Sequence, residues 1–234
     1  MQKQLAVIDR KVLTPDDKIM VAPGKTVIGK PKVYDLKTGE LLADEENLVV
    51  LTGREFMAQK VSSLSNPSQD LRNYEIRYFG VGDGGTDGAT NAVDPQDNDE
   101  DLASPVVIAP SSSQVNTSAN DYRYVANGYL KRILSTVNDP SGDIQIVLED
   151  HEINTSDGST TTVQKYTTIK FTLILEENEP ANKPFTFNEA GLYAVKYDSD
   201  GNPTDDKILV ARFTTIDKNL GPTDGLRIEW SVLV

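Results

Sequence analysis

The end of the chain, LRIEWSVLV, constrains the fold most strongly: Leu226, Ile228, Trp230 and Val232 share one parity, while Arg227, Glu229 and Ser231 hold the other. A period of two puts apolar side chains on one face of an extended segment, so this stretch predicts a half-buried β-strand. TTIKFTLIL repeats the pattern, with Ile169, Phe171, Leu173 and Leu175 alternating against Lys170, Thr172 and Ile174. It follows DIQIVLEDHEI across the turn-rich NTSDGST, which predicts a hairpin. GLYAVKY and KILVARFTTI flank DSDGNPTDD as a second hairpin, so the second half reads as an antiparallel meander with acidic tips. The fold class expected is mainly β: an antiparallel sandwich or barrel-like domain with one packed helix and long acidic loops.

In the first half, KPKVYDLKTGELL carries a turn signal between apolar runs, and EIRYFGVG is a β-rich run ended by glycines. The helix is expected over about 52–65, in LTGREFMAQKVSSLS. Thr52 is the expected cap, and Met57, Val61 and Leu64 the apolar stripe laid across the sheet. Residues 1–40 read as an N-terminal extension with short strands, and 41–234 as one β-rich domain with an acidic insertion at about 83–121. Between Asp83 and Asp101 there are seven acidic residues and no Lys or Arg. Such a segment lacks the apolar area to order itself, so it is expected to lie over the surface or dock on a neighbour. Deleting residues 84 to 118 is then expected to leave a folded protein.

Composition removes several function classes. With no cysteine, disulfides, thiolate nucleophiles and cysteine-held metals are excluded. The single histidine, His151, sits where a strand runs into a turn and reads as a solvent-facing strand-end residue rather than a base. A net charge of −13 disfavours phosphate backbones and anionic membranes as partners. The opening MQKQLAVIDRK has no apolar run of signal-peptide length, and no segment has the roughly 20 apolar residues that span a bilayer. The expectation is a protein made in a cytoplasm, with neither nucleic acid nor membrane as partner. GVGDGG lacks the following helix of a dinucleotide fingerprint, and no GxSxG elbow is present.

Asp198, Asp200, Asn202 and Asp205 in DSDGNPTDD offer oxygen ligands of the type calcium takes, although the glycine falls at the fourth position of the loop and no glutamate stands at the twelfth. Turn geometry explains the same residues, and no cofactor is expected. Glu189 in FNEAGLYAVK looks like an active-site carboxylate, yet Asn188 and Gly191 supply turn geometry beside it. The expectation is that Glu189 bonds turn amides or pairs with Arg212, Lys218 or a similar cation, fixing the entry of its strand. An enzyme would need a concave pocket gathering Glu189, Arg212 or His151.

Three blocks, in order, carry a family resemblance: ENLVVLTGREFMAQKVSS, EIRYFGVGDGGTDGAT, and NEAGLYAV followed by ILVARFTTIDKNLGPTDGLRIEWSVLV. Together they resemble virion structural proteins of tailed bacteriophages, over roughly residues 40 to 234. The resemblance implies a non-enzymatic assembly component of the virion, put together in the host bacterial cytoplasm, homo-oligomeric in the particle and contacting other virion proteins. It marks Gly53, Arg54, Gly191 and Trp230 as structural, alongside Glu189, Arg212 and Lys218. A compact acidic β domain without fibre repeats or heptads favours capsid decoration, docked on the major capsid protein, over a neck, collar, tail or baseplate position. A calcium-dependent adhesion module built on DSDGNPTDD is the competing expectation. The acidic insertion departs from the leaner family pattern.

Overall fold

The computed structural model describes residues 21–22, 25–26, 31–64, 69–88, 91–109, 122–133, 143–154, 161–180 and 182–233. The chain forms β1 (Val21–Ala22), β2 (Lys25–Thr26), β3 (Pro31–Asp35), β4 (Leu41–Asp44), β5 (Leu48–Val49) and α1 (Leu51–Ser62). There follow β6 (Tyr74–Gly82), β7 (Tyr124–Val125), β8 (Leu130–Arg132), β9 (Ile144–Asn154) and β10 (Thr161–Leu175). β11 (Phe185–Tyr197), β12 (Pro203–Leu220) and β13 (Leu226–Leu233) complete it. β1 and β2 pair only with each other. The remaining strands make two antiparallel sheets, of order β4-β3-β13-β10-β9 and β5-β12-β11-β6-β8-β7.

The two sheets face each other across one apolar core. Val33, Phe171, Leu173, Ile228 and Trp230 come from the five-stranded sheet, and Phe79, Val81, Phe187, Leu192, Ala211 and Phe213 from the six-stranded one. Trp230 is fully buried and meets Phe213 edge-to-face at 5.0 Å between ring centroids. The result is a β-sandwich with one helix. The anticipated meander is divided between layers. β9–β10 pairs without a register break and β11–β12 pairs with several, but β13 pairs with β10 and β3 rather than with β12, its neighbour in the chain. Residues 31–40 also differ from expectation, because β3 lies inside the five-stranded sheet between β4 and β13. The sandwich therefore includes them. Residues 1–20, half of the expected extension, lie outside the described residues, as do 89–90 and 110–121 of the acidic insertion.

The six-stranded sheet is covered on its second face too, by α1 and by the acidic loop. Of the stripe its sequence suggests, α1 packs only Met57 against the core. Gly53, Phe56 and Gln59 are buried, while Val61 is 88% and Leu64 71% exposed. The reason is close approach: a Cβ on Gly53 would run into the carbonyl oxygen of Val210 in β12, so only glycine lets the helix sit this near the strand. Phe56 then packs with Leu71, Tyr74, Ala194, Ile208 and Val210. Gln59 accepts from the Leu71 amide at 2.9 Å and donates to the Gln69 carbonyl at 3.0 Å. Thr52 does not cap. The N-cap position falls on Val50, without a side-chain bond, and the Leu51 amide instead donates to the Asp97 carbonyl at 2.8 Å.

Candidate functional site

Glu189 is fully buried, and every direction from its carboxylate is occupied. Oε1 accepts from the amides of Gly84 at 3.2 Å and Ser104 at 2.8 Å, and Oε2 from Ala103 at 3.1 Å. Arg212 of β12 adds a forked contact to Oε2, with Nε at 3.0 Å and Nη2 at 2.6 Å. Its third nitrogen, Nη1, reaches Asp99 at 2.6 Å. Burial opposes a charged guanidinium, but the hydrogen bond it donates to Asp99 and the charge of Glu189 outweigh it and raise the Arg212 pKa.

A bulge aims this carboxylate. The pairing of β11 with β12 slips between Phe187 and Glu189, so Phe187 and Ala190 both enter the core while Asn188 and Glu189 both face the loop. Asn188 completes the clamp. It accepts from the Gly85 amide at 2.6 Å and donates to the Asp83 carbonyl at 3.1 Å and Asp217 at 2.9 Å. Gly82 allows the approach, since a Cβ there would meet Glu189 and the Ser104 carbonyl.

The acidic insertion is thereby a cover for its own sheet. Asp97, Asp99 and Asp101 pair with Arg54 of α1, Arg212 and Lys207 respectively, while Asn98 and Glu100 between them are exposed. A hydrogen-bonded turn, in which the Asp99 amide donates to the Gln96 carbonyl at 3.1 Å, sets this alternation. Tyr193 donates to Asp101 at 2.5 Å. Burial first, then the Asp101 charge, lifts its pKa well above the ordinary value of 10.0. Leu102 packs beside Tyr193, Val50 and Leu209. Removing residues 84 to 118 would strip Glu189 and Arg212 of these partners, so the expectation of a folded deletion product is reversed. Polar bonds and ion pairs order the segment where apolar area could not.

The residues singled out from sequence therefore divide. Glu189, Arg212 and the glycine and arginine that open α1 converge on one clamp, which Gly191 flanks in β11 opposite Arg212. Trp230 lies in the core, its indole nitrogen without a hydrogen-bond partner among the described residues. Lys218 stands apart, opposite Phe187 in β12. His151 is not at a strand end: it lies within β9, opposite Gln164. The Asp198 turn is closed on itself. Oδ1 of Asp198 accepts from the amides of Asp200 at 2.9 Å and Asn202 at 2.8 Å, which holds its pKa down. The Asn202 side-chain oxygen accepts from Tyr122, and Asp205 is an exposed residue of β12. No group of three or more His, Cys, Asp or Glu arranged to hold a metal is found among the described residues.

A second buried carboxylate, Glu179, escaped the sequence. Lys131 reaches its Oε2 at 2.6 Å, the Glu176 amide reaches the same oxygen at 3.1 Å, and Tyr124 donates to Oε1. Arg123 stands 3.4 Å from Oε1 and bridges to Glu176 at 2.6 Å. Burial lowers the Lys131 pKa against the pull of Glu179 and raises that of Tyr124. Beside the cluster, at the open seam between β8 and β10, lies a pocket of about 440 Å³ lined by Phe79, Lys131, Ile133, Thr172 and Ile174 among others. Nothing local in LEENEPANKP announced this, because Lys131 is 48 residues away in sequence. Compared with known proteins, the chain matches no family model, no curated protein and no solved structure. Among the described residues no helix is long and apolar enough to cross a membrane.

Proposed function

We propose that this chain is a non-enzymatic structural component of a tailed bacteriophage virion, a decoration protein that docks on the major capsid protein. The observation that carries the reading is the clamp itself. The Gly53–Arg54 helix start, the glycines that end β6, and the Glu189 and Arg212 pair come from the three blocks of the resemblance. They meet at one place whose work is to hold a loop on a sheet. A fully buried carboxylate with five donors has no lone pair left for a substrate, so the most enzyme-like stretch of the chain serves architecture. A rigid, fully clamped acidic sandwich suits a particle surface, where the copy must persist without chemistry.

The test is proteomic. Particles of the phage that encodes this chain, purified on a density gradient, should contain it in a fixed ratio to the major capsid protein. Capsids stripped of it should take the purified protein back. Its absence from purified particles would overturn the reading. Recovery only in the detached tail or neck fraction would move it from decoration to that position.

A further inference from the structure

Lys131 is a lysine on the inward side of a strand. β8 sets it opposite Phe79 of β6 and Tyr124 of β7, and residues paired across strands share a face. Phe79, Tyr124 and Ile133 all belong to the apolar core, so the ammonium is carried into the sandwich, its side chain only 7% exposed. There it meets two acceptors, the Ile174 carbonyl at 2.9 Å and Oε2 of Glu179 at 2.6 Å. Bonded to Cε and aimed at two acceptors, a tetrahedral nitrogen has one position left, which is a third N–H while charged and a lone pair once neutral. The neutral amine therefore keeps both hydrogen bonds and gains a nucleophile's lone pair.

The surroundings favour that form. Burial lowers the Lys131 pKa and the Arg123 charge adds to it, against the pull of Glu179 and Glu176. Desolvation and a neighbouring cation are the two conditions that activate a lysine amine. Lys131 also lines the pocket of about 440 Å³, a volume within the range of small-molecule sites, roughly 300–1,000 Å³. Phe79, Ile133 and Ile174 give the pocket apolar walls, and Arg132, Asp143 and Glu176 complete its charged lining beside Arg123. The Arg123 side chain is 41% exposed, and its guanidinium stays protonated. Tyr124 holds Glu179 in place by donating to Oε1.

We propose that this pocket captures an α-keto acid with a short apolar chain, through a Schiff base to Lys131. The keto carbon meets Nζ, the ligand carboxylate meets the Arg123 guanidinium, and the apolar chain lies against Phe79, Ile133 and Ile174. The lone pair adds to the keto carbon. Nζ then gives up its two protons, which leave with the carbonyl oxygen as water, so an N=C bond replaces the C=O bond and nothing is oxidised or reduced. Taking one proton from solvent, the imine nitrogen still donates to Glu179. The result is one ligand held per chain rather than turnover, a role beyond the structural one and independent of it.

Reduction traps the adduct and tests the assignment. The full chain is incubated with α-ketoisocaproate and cyanoborohydride, digested, and its lysines read by mass spectrometry. Lys131 should be alkylated first, about tenfold faster than the exposed Lys37 and Lys60, since each unit by which a pKa falls gives about ten times the neutral amine. Methyl isobutyl ketone has the same skeleton with a methyl group for the carboxylate. Relative to Lys37, it should label Lys131 about tenfold more slowly than the keto acid does. Arg123→Gln, at a half-exposed side chain, should bring the keto acid down to the rate of the ketone and leave the ketone unchanged. Fast labelling of exposed lysines with Lys131 untouched, labelling of Lys131 only in urea, equal relative rates for keto acid and ketone, or an unchanged keto-acid rate in Arg123→Gln would each overturn the proposal.

Discussion

Glu189 and Glu179 are both buried carboxylates facing a cation, yet they hold different things. Glu189 gathers three loop amides and a forked guanidinium from β12, so two loop segments and a strand end on one side chain. Glu179 gathers Lys131, Tyr124 and a single amide from its own turn, beside a pocket at the seam between the sheets. The first is enclosed and its cation cannot discharge, because a guanidinium stays protonated in proteins. The second has a cation whose burial already favours the neutral amine. A buried ion pair is rigid when neither member can escape its charge, and forgiving when one can.

Loss of the carboxylate charge should therefore separate the two sites. Glu189→Gln leaves the Arg212 charge with Asp99 alone and turns an amide group toward backbone donors. It should cost about 3–5 kcal/mol, read as a melting point lower by roughly 6–20 °C. Glu179→Gln should cost about 1–3 kcal/mol, because Lys131 can shed its proton and keep the Ile174 carbonyl as a partner at 2.9 Å. Equal costs in urea titrations of the two variants would break the comparison.

Between these in kind, Asp99→Asn removes only the outer anion of Arg212 and should cost about 1 kcal/mol in the same titration. A cost equal to that of Glu189→Gln would mean the loop is held by its aspartates rather than by the buried glutamate.

Alkali sharpens the point. Tyr193 keeps its proton in the folded clamp well above the value of 10.0 at which it ionises in the unfolded chain. The folded state then binds more protons than the unfolded one, so stability is complete below about pH 10 and falls as pH rises above it. Tyr193→Phe should flatten this fall between about pH 9 and 11, and an unaltered slope would remove Tyr193 from the account. The smallest effect concerns the Asp198 turn: chelator should leave the melting temperature within about 1 °C, as its carboxylate already accepts from turn amides. A fall of many degrees would restore calcium.

Several parts of this molecule were legible in advance. The alternation of Leu226 to Val232, the hairpins around DSDGNPTDD and NTSDGST, and the helix at Gly53 all register in the chain because their periods are local. The buried face of α1 was misread because Val61 and Leu64 fit a helical stripe as well as Phe56 does. Only the closeness of Gly53 to Val210 selects between them. The odd-numbered aspartates of the insertion carried a signal in their spacing, since 97, 99 and 101 share one parity, but nothing nearby named Arg54, Arg212 and Lys207 as their partners.

By itself the sequence determined the long strands of the second half, the absence of cysteine chemistry and the acidic balance, because each follows from residue type and short-range order. Tertiary structure alone decided that the hairpins divide between two layers, that the acidic insertion seals its own sheet, and that Glu189 faces it. That last choice rests on the bulge after Phe187. The pairing jumps from Phe187 opposite Lys218 to Glu189 opposite Thr214, and there Glu189 leaves core parity for loop parity; the deviation exists only where β11 and β12 lie side by side.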